Sequence, residues 1–218
     1  MTLRWLFAPV LACSFALGSA AQAEVALNSE QDKTLYLLGT SLGRALEEFQ
    51  LDPRELKIVE TGLTDSTLHR PLRFEDENGP ARIAKLRKER MQSFSKTFLA
   101  EKKKAKGAKE YPSGLIMTEI KAGSGDSPTP EQTVKVHYHG TLPSGIVFDS
   151  SVDRGTPAEF PLNRVIPCWT EGVAKMKVGG KSRLVCPPDL AYGDRGAPPK
   201  IPPGTALVFE VELIEIVE

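Results

Sequence analysis

Two histidines, His137 and His139, stand two residues apart in a stretch with strand periodicity, so they share a face and could in principle ligate a metal. No acidic residue lies close to them in sequence, and surface strand histidines account for the pair more simply. Cys168 and Cys186 have no Cys-x-x-Cys partners, so a thioredoxin-like redox site is unsupported. The chain has no glycine-rich phosphate loop and no Gly-x-Ser-x-Gly nucleophile elbow. Its carboxylates are scattered among lysines, as on a solvated surface, and suggest no acid/base pair. What is concentrated instead is aromatic and apolar side chains around turns in the C-terminal half, among them Tyr138, Phe148, Trp169, Tyr192 and Phe209. For each aromatic alone, plain core packing would serve as well.

The elements that must position these residues divide the chain in two. From Asn28 to about Lys109 the pattern is helical. Leu35, Leu38, Leu42, Leu46 and Phe49 form one apolar stripe, with Asn28 or Ser29 as cap. Asp52-Pro53 with Glu55 opens a second helix whose apolar positions include Leu56, Val59 and Leu63. After a connector at 70–77, residues 79–111 read as a long linking helix, about 50 Å at 1.5 Å per residue. Ile83, Leu86, Met91, Phe94 and Phe98 mark its narrow apolar seam. These helices make a poor core by themselves, which points to association with a second copy.

Beyond Pro112 the period changes to that of strands. Leu115–Ile120, Val134–Tyr138, Ser182–Val185 and Ala206–Val217 read as strands. Val173–Met176 falls in a short helix closed by Gly179-Gly180. One short helix among several strands makes residues 112–218 an α+β domain, a sheet wrapped on a helix, preceded by an all-α domain.

The 218 residues suffice for two small domains, and 40% hydrophobic with 26% charged is an ordinary soluble composition. The formal net charge is zero, which gives no electrostatic reason to expect nucleic acid. A basic run, Lys102, Lys103, Lys104, Lys106 and Lys109, reads as a solvated helix end. At the N-terminus Arg4, the uncharged stretch Trp5–Leu17 and Ala21-Gln22-Ala23 have the form of a signal peptide, residues 1–23. Lipidation at Cys13 is a second exported reading. Either way the chain is expected outside the cytoplasm, in the periplasm, with outer-membrane or surface association as a variant. Cleavage after Ala23 leaves Cys168 and Cys186, which an oxidising compartment would join, the alternative being two buried thiols.

Five segments then carry a resemblance: Val136-His137-Tyr138-His139-Gly140, Val147-Phe148-Asp149-Ser150-Ser151, Val165-Ile166-Pro167-Cys168-Trp169-Thr170-Glu171-Gly172, Pro188-Asp189-Leu190-Ala191-Tyr192-Gly193, and Ile201-Pro202-Pro203-Gly204-Thr205 with the strand after it to Leu213. In order and spacing they closely resemble the FK506-binding family of prolyl isomerases over about half the chain. The helical half, residues 24–78 with the long helix, is similar in helix order to the dimerisation domain of the macrophage infectivity potentiator type.

The resemblance implies a peptidyl-prolyl cis/trans isomerase with an antiparallel sheet wrapped on a short helix. It implies no cofactor. Partners would be proline-containing folding polypeptides, a second copy through the N-terminal helices, and FK506- or rapamycin-type macrolides. Tyr138, Phe148, Val165, Ile166, Trp169 and Phe209 would line the pocket, with Trp169 as its floor. The Ile166 N–H and the Tyr192 hydroxyl would hold substrate carbonyls. Asp149 would sit at the rim beside Tyr138 or Arg154, and Ile201 would close the loop side. Ala158 stands where the family often has an aromatic, and Lys200 where many members have an apolar residue. Phe160, the next aromatic, is expected to face the core. A different class, a non-catalytic dimeric chaperone gripping apolar segments, competes with the enzyme; the presence of the principal pocket residues favours the enzyme.

Overall fold

The computed structural model describes residues 25–217, so the leader reading and Cys13 lie outside the described residues. The chain divides into two units, Met1–Leu42 and Gly43–Glu218. Helix α1 runs Glu30–Leu46 and begins with a reciprocal cap: Ser29 Oγ accepts from Asp32 N–H at 3.0 Å, and Asp32 Oδ2 accepts from Ser29 N–H at 2.8 Å. None of its residues is buried.

In the second unit, α2 (Pro53–Thr67) starts with a capping box between Asp52 and Glu55 and carries proline in its first turn. Helix α3 spans Gly79–Lys102 and is tied to the preceding segment by Arg87–Glu48 at 3.4 Å and by an Arg90–Glu55 ion pair. It is shorter than the 79–111 helix expected from the sequence. Gly107 takes φ +78°, and Ala108–Glu110 forms strand β1 on the edge of β2 (Ile116–Lys121). Of the lysine run, only Lys102 stays helical; Lys103, just past the helix, pairs with Glu110 at 2.6 Å.

Strands β3 (Thr133–Thr141) and β4 (Val147–Ser150) follow, then the one-turn helix α4 (Ser151–Arg154) and β5 (Ala158–Pro161). Helix α5 covers Pro167–Val173, then come β6 (Lys181–Cys186) and β7 (Leu207–Val217). The short helix starts at Pro167, which fits its first turn, and of the stretch Val173–Met176 expected within it only Val173 is helical; Met176 N–H bonds back to Val173 O in the turn that follows. All pairings are antiparallel, in the order β1-β2-β6-β7-β3-β4, with β5 also on β3.

Alternation decides which face of the sheet meets α5. On β3, Val134, Val136 and Tyr138 are buried while Lys135, His137 and His139 are half-buried on the other side. On β7, Leu207, Phe209, Val211 and Leu213 point inward. Trp169 and Val173 of α5 meet this face, and the core cluster lies entirely between Leu115 and Leu213. Cys168, at the start of α5, is disulfide-bonded to Cys186, at the end of β6, with 5.7 Å between Cα atoms. Among the described residues, no helix is long and apolar enough to cross a membrane.

Candidate active site

On the inner face of the sheet the aromatic side chains converge on Trp169. Its indole makes edge-to-face contacts with Tyr138 (centroids 5.3 Å apart), Phe209 (5.3 Å) and Phe160 (5.6 Å). Phe148 stands edge-on to Phe209 at 5.5 Å. Such tilted pairs are the favoured arrangement of aromatic quadrupoles, so the set braces itself. Gly140 makes room for it. A Cβ there would lie 2.7 Å from Phe148 Cζ and 3.1 Å from Phe209 Cε1, so only glycine lets both rings cross the strand.

These rings enclose a cavity of about 500 Å³, lined by Tyr138, Phe148, Asp149, Phe160, Arg164, Val165, Ile166, Trp169, Tyr192 and Phe209. Each element supplies few of them: β3 gives Tyr138, β4 gives Phe148 and Asp149, α5 gives Trp169 and β7 gives Phe209. Val165 and Ile166 lead into α5, and the Ile166 carbonyl accepts from Trp169 N–H at 2.9 Å. Tyr192, 41% exposed, sits on the loop between β6 and β7. Among the described residues, the buried Trp169 Nε1–H has no hydrogen-bond partner.

A carboxylate reaches this largely aromatic wall. The Asp149 carboxylate accepts hydrogen bonds from the Tyr138 hydroxyl and from Arg154, whose Nη2 also donates to Tyr138 Oη at 3.0 Å. Partial burial pushes the Asp149 carboxyl up, but the hydrogen bonds from Tyr138 and Arg154 outweigh it and leave it below its ordinary value. Burial raises the Tyr138 phenol, and its bond to Asp149 raises it further. Asp149 is therefore a carboxylate and Tyr138 a neutral phenol throughout the physiological range. Neither is poised to exchange a proton.

Of the residues expected from the sequence, Tyr138, Phe148, Asp149, Val165, Ile166, Trp169, Tyr192 and Phe209 all line the cavity. Arg154 does not; it stands behind Asp149. Ile201 is also outside the lining and is 4% exposed in the core, where its backbone pairs with Ala197. Phe160, expected to face the core, packs against the core cluster and also walls the cavity, on the same side of β5 as Ala158. Lys200 turns its amine onto the Phe148 carbonyl at 2.9 Å.

Three further residues were not singled out by sequence reasoning. Arg164 is an exposed lining residue with no motif around it. Ser151 is wholly buried; its hydroxyl accepts from Tyr138 N–H at 2.8 Å and so holds the strand that presents Tyr138. Ser150 caps α4 through Asp153 N–H at 3.1 Å, which sets the turn carrying Arg154. The two histidines face these serines, His137 Nδ1 being 3.1 Å from Ser151 Oγ and His139 Nδ1 3.0 Å from Ser150 Oγ.

A half-wrapped antiparallel sheet with an aromatic cavity, one tethered carboxylate and no nucleophile defines a binding pocket of the prolyl-isomerase kind. Residues 125–214 match the family described as FKBP-type peptidyl-prolyl cis-trans isomerase. The peptidyl-prolyl cis-trans isomerase Mip of Coxiella burnetii is 36% identical over 227 residues, 97% of each chain. The FKBP-type 22 kDa peptidyl-prolyl cis-trans isomerase of Escherichia coli is 41% identical over 192 residues, 83% of this chain and 93% of that one. The crystal structure of FkpA from Escherichia coli superposes with a TM-score of 0.56 at 36% identity, covering 88% of this chain and 98% of that one. The chain belongs to the FKBP-type peptidyl-prolyl cis-trans isomerases, and its helical half followed by an isomerase domain is that of the Mip-like members.

Proposed function

We propose that the cavity over Trp169 is where an X–Pro bond turns. Twisting a peptide bond destroys its resonance, a barrier of about 18–20 kcal/mol. The twisted amide carries less charge separation than the planar one. A pocket that withholds water from the carbonyl therefore favours the twisted form over the ground state, which is differential binding of the transition state. In this reading the proline ring rests on Trp169 between Tyr138, Phe148 and Phe209. The Ile166 N–H and Tyr192 hydroxyl hold flanking carbonyls, and Asp149, fixed by Arg154 and Tyr138, sets the field beside the turning amide.

The observation that carries the reading is the cavity itself: six aromatic side chains and two aliphatic ones around one ion-paired carboxylate. The test is a protease-coupled assay on proline tetrapeptides. The expected result is faster cis/trans exchange, suppressed by an FK506-type macrolide. A folded protein that accelerates nothing would overturn it.

The substrates we propose are exported proteins during folding, in the periplasm. Support for this comes from Arg4, the uncharged run Trp5–Leu17 and Ala21-Gln22-Ala23. We further propose a homodimer through the helical half. Its support is the row of exposed apolar residues on α1, Leu35 (58%), Leu38 (58%) and Leu42 (45%), which in water needs a cover.

A further inference from the structure

Lys88, Gln92 and Ser95 follow one another on α3 at steps of four and three residues, so they share a face. That face lies against the loop that carries Tyr192. Lys88 Nζ donates to Asp194 Oδ2 at 2.7 Å, and Gln92 Nε2 donates to Asp194 Oδ1 at 3.0 Å. One carboxylate, two residues beyond Tyr192, is thus held by two side chains of the helix.

One turn further along, Ser95 is 1% exposed, and its hydroxyl is used in both directions. It donates to the Gly204 carbonyl at 2.9 Å and accepts from Ala206 N–H at 2.9 Å. The Gly204 N–H in turn donates to the Gly193 carbonyl at 2.9 Å. A chain of hydrogen bonds therefore runs from Ser95 through the Gly204 residue to the residue next to Tyr192. Gly204 has φ +72°, and a Cβ on it would sit 2.9 Å from Gln92 Cγ. Glycine is required there both by the backbone and by the closeness of the helix.

Tyr192 is the most exposed of the aromatic residues lining the cavity, and no strand or helix carries it. Its position depends on how its loop is anchored, and the anchors lie on α3. We propose that Lys88, Gln92 and Ser95 are positioning residues of the active site: the linking helix sets the Tyr192 loop. The inference rests on the reading of Tyr192 as a residue that holds the substrate's carbonyl. Losing Ser95 Oγ leaves two buried backbone groups unpaired, so the loop relaxes and the Tyr192 hydroxyl no longer stands where the substrate needs it.

The test is a double-mutant cycle in the full chain, with Ser95→Ala, Tyr192→Phe and the double variant assayed on a proline tetrapeptide. Tyr192→Phe and Ser95→Ala are each expected to raise KM several-fold with little change in kcat, since a ground-state contact is lost. In the Tyr192→Phe background, Ser95→Ala should raise KM less than about twofold further. Asp194→Asn, on an exposed side chain, should show a smaller effect that also vanishes in that background, and it serves if Ser95→Ala folds poorly. Losses that simply multiply, or a Ser95→Ala loss confined to kcat as from a smaller folded fraction, overturn the inference while sparing the reading of Tyr192. A Tyr192→Phe variant with unchanged kinetics overturns both.

Discussion

Arg154 reaches Tyr138 as well as Asp149: its Nη2 donates to the phenol oxygen at 3.0 Å, and its guanidinium lies 5.6 Å from the ring centroid. One cation thus orients both the carboxylate and the phenol on this side of the site. Arg154→Ala should free the carboxylate and the phenol together. We expect kcat/KM to fall about tenfold, equivalent to about 1.4 kcal/mol of transition-state stabilisation, with the melting temperature little changed because the pair is half exposed. Steady-state kinetics beside a thermal melt checks this.

The same triad fixes the pH response. Asp149 has its carboxyl lowered, so its contribution to stability is complete above the ordinary value of 3.8 and is lost as pH falls through the depressed folded value. Tyr138 has its phenol raised, so its contribution is complete below 10.0 and is lost as pH rises through the higher folded value. Between about pH 5 and about pH 9 neither group changes charge. Activity on an uncharged peptide should be flat across that window. A bell-shaped profile centred inside it would mean that a proton is transferred.

The disulfide ties the start of the helix carrying Trp169 to the end of β6, across 18 residues of sequence. Opening it should cost about 3 kcal/mol from loop-closure entropy. In a chain of this size that is a fall in melting temperature of about 6–12 °C. Differential scanning calorimetry of the protein before and after reduction measures it. Mass spectrometry of non-reduced, alkylated protein counts the free thiols, and a count of two for Cys168 and Cys186 would contradict the bridge.

Much of this architecture is legible in sequence because it is periodic. Leu207, Phe209, Val211 and Leu213 alternate so regularly that β7 and its buried face follow from the residues alone. Asp52-Pro53 with Glu55 announces α2 in the same way. What periodicity cannot supply is where a pattern stops. Ala108–Glu110 leaves the helix because a strand edge on β2 is available to it, and that edge is a tertiary fact. Phe160 walls the cavity while also packing on the core, which a count of aromatics does not reveal. The polar row Lys88, Gln92 and Ser95 is invisible to a search for apolar stripes, since its partners lie more than a hundred residues away.

For assembly, static light scattering of the chain without its first 23 residues, at micromolar concentration, should report twice the chain mass. Replacing Leu35 and Leu38 by lysine should return the monomer, with the tetrapeptide activity of each chain retained. A monomeric parent protein would contradict the dimer.

Two substitutions separate the wall of the cavity from its rim. Phe148→Ala removes a ring that is 7% exposed and should lower kcat/KM at least tenfold, with about 3–5 kcal/mol lost in stability. Tyr192→Ala, on an exposed residue, should lower kcat/KM chiefly by raising KM, with little effect on the melt. Circular dichroism of each variant establishes that it is folded before its rate is compared.

The central claim is that an X–Pro amide turns while its proline ring rests on Trp169. Exchange spectroscopy on a proline tetrapeptide with a catalytic amount of protein, combined with intermolecular Overhauser contacts, tests it most directly. The account predicts cis/trans exchange peaks that appear only with the protein, and contacts from the proline ring protons to the Trp169 indole. Acceleration with the proline ring in contact elsewhere, or contact with Trp169 without acceleration, would contradict it.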